Sequence, residues 1–110
     1  MTISWNDFEK IDIRVGTIVE VSEFPKARKP ALKLKIDFGE LGMKQSSAQI
    51  TKFYSKDSLL GTQILAVVNF PPKQIADFFS ECLVLGIYTS EKDVVLFRPD
   101  HVVENGWRVG

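Results

Sequence analysis

Apolar and polar residues alternate most cleanly in LKLKIDFG, residues 32–39, where Leu32, Leu34, Ile36 and Phe38 share one face and Lys33, Lys35 and Asp37 the other. A period of two predicts a half-buried strand, here with a basic outer face. IDIRVGTIVEV, residues 11–21, also alternates, grouping Ile11, Ile13, Val15, Val19 and Val21 on one side. Gly16 in its interior predicts a bulge or sharp coil. QILAVVNF (63–70), LVLGI (83–87) and DVVLF (93–97) are nearly continuous apolar runs of strand length, the first stopped by Pro71 and Pro72. MKQSSAQIT (43–51) follows a turn bracketed by Gly39 and Gly42 and reads as a polar return strand. Two short helices are expected. Ser4 and Asp7 have the spacing of a capping box over WNDFEK, and Phe53 to Leu60 can wind up to a C-cap at Gly61. FPKARKP, with Pro25 and Pro30, makes a stiff basic loop.

Five to seven short strands with a helix before the fourth predict an all-β fold: a five-stranded OB-fold Greek-key barrel with short helices and N- and C-terminal extensions. At 110 residues, one domain over 1–110 is expected. No apolar run approaches the roughly 20 residues that cross a bilayer, and the first residues lack the basic and apolar regions of a secretory leader. A cytoplasmic protein is expected. One cysteine and one histidine give no internal disulfide and too few soft ligands for zinc, so neither metal nor other cofactor is expected.

Net charge is zero but unevenly spread: residues 26–56 carry eight basic and two acidic side chains, while the segments on either side are each net −3. Local positive charge is the footprint of a nucleic-acid site on a neutral protein. Lysines on a sheet face can equally serve solubility and guard an edge strand. Ser80-Glu81-Cys82 raises the question of catalysis, but a cysteine nucleophile needs a base, and the sole histidine, His101, lies in a turn with nothing to orient it toward Cys82. A buried cysteine opening an apolar strand, in a binding protein without enzymatic activity, is the expectation.

IDIRVGTIVEV, the basic proline loop, IDFG, KQSSAQIT and VVNFPPKQIADFFSECLVL, in that order, resemble the tRNA-binding OB domain family, which includes the C-terminal appendage of some methionyl-tRNA synthetases, free-standing tRNA-binding proteins and a branch of export chaperones. The resemblance implies a homodimer that binds tRNA or other structured RNA. For the chaperone branch it implies handling of unfolded preproteins and of the translocation motor SecA. The family's asparagine at the end of the fourth strand, basic residue after the proline and serine-glutamate pair fall on Asn69, Lys73, Ser80 and Glu81. Cys82 and Leu83 stand in place of a glycine-methionine, and Ala76 and Asp77 in place of a basic residue and a glycine. The RNA site implied comprises Lys29, Lys33, Lys35 and Lys73 on phosphates, with Gln45, Ser46, Asn69, Ser80 and Glu81 on bases or sugars. A competing reading is an apolar groove for polypeptide using Phe53, Phe70, Phe78 and Phe79; these rings can equally complete the core or a dimer contact. Trp5, Phe8 and Trp107, in the terminal extensions, are the expected dimer contacts.

Overall fold

The computed structural model describes all 110 residues. Nine short strands carry the fold: β1 (Ile13–Glu23), β2 (Leu32–Asp37), β3 (Met43–Ala48), β4 (Gln63–Val67), β5 (Lys73–Ile75), β6 (Phe78–Ser80), β7 (Leu83–Val84), β8 (Gly86–Tyr88) and β9 (Val94–Leu96). Five of them form an antiparallel sheet in the order β3-β2-β1-β4-β7, with β5-β6 and β8-β9 as separate hairpins. This sheet curls into a nearly closed OB-type barrel. Its two ends meet where β3 approaches β6 and β7: the Glu81 N–H donates to the Gln45 carbonyl at 2.8 Å, and the Gln45 N–H donates to the Glu81 carboxylate at 2.9 Å. A side chain thus completes the seam where no regular ladder runs.

β2 behaves as its alternation predicts, with Leu32, Leu34, Ile36 and then Phe38 buried in the barrel. β1 does not. Pairing with β2 slips between Ile18 and Glu20, so Val19 is a bulge. The extra residue inverts the parity, placing Ile18 opposite Ile36 and Val21 opposite Leu34 on the inward face. Ile18 is fully buried, whereas Val19 and Ile11 are exposed. Gly16 is not the bulge; it lies where a Cβ would come within 2.5 Å of the Ile36 methyl and 2.8 Å of the Phe38 ring. The glycine lets core side chains press against the strand backbone.

α1 (Trp5–Glu9) carries the expected capping box between Ser4 and Asp7. α2 (Lys56–Leu59) is shorter than the expected 53–60 because Ser55 caps its first turn with Ser58, while Gly61 leaves it with φ +83. Leu59 fills the barrel's end. The run 83–87 divides into β7 and β8: the Leu85 N–H turns to the Leu65 carbonyl, and β8 departs with β9. The C-terminal extension lies along β1 and β4. Gln63 bonds both the amide and the carbonyl of Val103, and Val15 exchanges backbone bonds with Gly106 and Trp107. No helix is long and apolar enough to cross a membrane.

Candidate nucleic-acid interface

A concavity of about 1360 Å³ runs between the loop joining β1 to β2, the end of β3, the segment 70–76 and the β8-β9 hairpin. One wall is made rigid by a small second core of Phe24, Ala31 and Phe78, with Ala27 and Ile75 against it. The Phe24 and Phe78 rings meet at 5.5 Å with a 58° tilt. This contact fastens the basic loop to the β5-β6 hairpin, two segments far apart in sequence. Ile50, Cys82 and Val84 lie deeper, and exposed Phe70 and Tyr88 stand at the edges.

Five cations line this groove, Lys26, Arg28, Lys29, Lys73 and Lys92, and no carboxylate does. Only Lys26 has an acidic partner, Asp77 at 2.7 Å; the other four pair with no carboxylate. Lys92 belongs to the tight turn after β8, where it adopts φ +67 and donates its N–H to the Thr89 carbonyl.

The residues singled out from the sequence divide into three groups. Lys29 and Lys73 line the groove with Ser80. Lys33 and Lys35 point from the outer face of β2 but do not reach it: the Lys33 ammonium sits 4.8 and 5.3 Å above the Phe24 and Phe78 rings, and Lys35 lies 3.9 Å from Glu20. The rest hold the fold. The Ser46 side chain is buried, its hydroxyl on the Cys82 carbonyl at 3.1 Å. Glu81 and Gln45 are occupied at the seam, the Gln45 amide also donating to the Phe79 carbonyl. Asn69 accepts from the Asp12 N–H and donates to the Lys10 carbonyl, fixing the connection from α1 into β1. Ser80 also donates to the Cys82 carbonyl.

Of the four phenylalanines, only Phe70 lines the groove. Phe78 is buried beneath the wall, and Phe53 and Phe79 are half exposed elsewhere. Trp5 and Trp107 are exposed and Phe8 is half-buried. Their segments are tied together, since Arg108 donates to the Glu9 carbonyl and its guanidinium approaches Asp12, which also holds Arg14 at 2.6 Å. Charge counting overlooked Lys92, and Tyr88, because TSEKD reads as a turn and carries two acids beside its lysine.

Cys82 is an unpromising nucleophile. Burial pushes its thiol up to about 12, and the thiol faces the Gln45 carbonyl at 4.0 Å rather than a base.

A family model described as "Putative tRNA binding domain" matches residues 13–108. The chain belongs to this tRNA-binding domain family. Among solved structures, the chaperone CsaA of Bacillus anthracis is 53% identical with a TM-score of 0.95, both chains being covered in full. The CsaA chaperone protein of Picrophilus torridus is 58% identical with a TM-score of 0.93, covering 99% of this chain and all of that one. The methionine–tRNA ligase of Bdellovibrio bacteriovorus is 35% identical over 107 residues, which are 97% of this chain and 15% of the ligase. The chain thus spans only about 15% of the curated relatives it matches, whereas it corresponds end to end with the CsaA structures.

Proposed function

We propose that this protein is a non-enzymatic RNA-binding module that holds an unpaired stretch of tRNA or other structured RNA in the groove between the basic loop, the segment 70–76 and the β8-β9 hairpin. The observation that carries the reading is four cations without acidic partners, Arg28, Lys29, Lys73 and Lys92, arrayed around a groove with exposed aromatic rings at its edge. The cations take phosphates, and Tyr88 and Phe70 offer faces on which bases stack. Lys33 and Lys35 extend the positive field without lining the groove.

Binding is tested by titrating a labelled single-stranded oligonucleotide and a tRNA across salt. Four phosphate contacts give a slope of log K against log salt near −3, from about −0.7 each. Tyr88→Ala should weaken binding by about 1–3 kcal/mol, the usual worth of one stacked base. Undetectable binding at about 50 mM salt, where such contacts are strong, would overturn the reading.

The second reading is a chaperone that takes extended polypeptide, such as an unfolded preprotein on its way to SecA, in the same groove. It is favoured by the apolar lining, with twelve hydrophobic residues among 23, and by the similarity to proteins described as CsaA chaperones. Peptide binding that survives high salt and competes with RNA would support it. Either activity is proposed to belong to a homodimer formed through Trp5, Phe8 and Trp107.

A further inference from the structure

Lys26 differs from the other cations of the groove in one respect: its charge is already matched. It reaches from the basic loop to Asp77, at the tip of the β5-β6 hairpin, with both side chains mostly exposed. Each group responds to the other. The hydrogen bond from Lys26 holds the Asp77 carboxyl below the ordinary carboxylate range, and the same bond raises the Lys26 ammonium.

The tip that presents Asp77 has unusual backbone. Ala76, which lines the groove, has φ +54, in the left-handed region that crowds any residue bearing a Cβ. The Gln74 side chain spans the turn to the Ala76 carbonyl at 3.1 Å. Asp77 is thereby held out over the basic loop, bringing a carboxylate to the rim of a groove whose lining contains none.

The geometry points to Asp77 as an internal substitute for a phosphate, withholding Lys26 from RNA until an incoming phosphate displaces the carboxylate. This rests on the RNA-binding reading above and names the residue that sets its strength. An exposed ion pair contributes little to the fold, so displacement is cheap and reversible. Its consequence is a moderated affinity: four groove cations engage RNA directly, and the fifth engages it only in exchange for Asp77.

The test compares the intact protein with Asp77→Asn, Lys26→Gln and the double variant, titrated with a fluorescent twelve-residue oligouridylate over a range of salt. Asp77→Asn should bind on the order of fivefold more tightly at about 50 mM salt, and the gain should shrink as salt rises and screens the pair. In the Lys26→Gln background the same change should gain less than about twofold, because only a screened general charge effect remains. An equal gain in both backgrounds overturns the proposal, as does an unchanged Asp77→Asn in a protein that binds. Binding by Asp77→Asn alone supports it. No binding by any of the four overturns the RNA reading itself and this proposal with it.

Discussion

At Cys82 the surroundings decide the chemistry. Burial favours the neutral thiol so strongly that the folded pKa lies near 12 against an ordinary 9.0. Three units correspond to roughly a thousandfold less thiolate at pH 8, at tenfold per unit. Native protein should therefore react with an aromatic disulfide reagent at least about a hundredfold more slowly than urea-unfolded protein, measured by thiol release. Linkage sets the sign of the pH effect. The unfolded chain loses this proton above pH 9 while the fold retains it, so the contribution to stability is complete below pH 9 and is lost as pH rises toward 12. The sequence signalled this residue correctly, because a cysteine before an apolar run has no local base. It did not signal Ser46, Glu81 or Asn69 as structural. Each is a polar residue that bonds a partner 34 or more positions away in the chain, and no local pattern records such a contact.

The legibility of each strand depended on whether anything interrupts its period. β2 buries one face from end to end and reads directly from its alternation. In β1 a bulge at Val19 exchanges the two faces midway, so the pattern 11–21 is continuous on paper and broken in space. The β5-β6 hairpin escaped for a different reason. Its turn is Ala76-Asp77, without the glycine or asparagine that ordinarily marks positive φ. Gly16 gives the element-scale prediction. An added methyl would collide with Ile36 and Phe38, both fully buried and unable to retreat. Gly16→Ala should cost about 1–3 kcal/mol, as overpacked cores do. By thermal unfolding that is a fall of about 4–8 °C for each kcal/mol.

Across the whole molecule, the candidate site is built from three separated stretches, 26–31, 70–76 and 88–94, with the end of β3 between them. Only the first is visible as a charge excess; Lys73 in the second came from the family resemblance, and the β8-β9 rim, with Tyr88 and Lys92, was not marked by either. The terminal extensions converge at another place, fixed by the Arg14-Asp12-Arg108 cluster and by Gln63. Exposed Trp5 and Trp107 there motivate the proposed homodimer. Sedimentation at micromolar concentration should give twice the 12.4 kDa chain mass, and Trp107→Ser should shift the equilibrium toward the monomer; a wild-type monomer would remove the claim.

The barrel's seam has a mechanical consequence. A cylinder closed by continuous ladders is held by backbone alone, whereas this one is fastened by the reciprocal Gln45 and Glu81 bonds, by the Gln45 amide on the Phe79 carbonyl and by the Ser46 hydroxyl on the Cys82 carbonyl. The closure of this barrel therefore depends on particular side chains, and a substitution at Glu81 or Ser46 removes a fastening that no backbone ladder replaces.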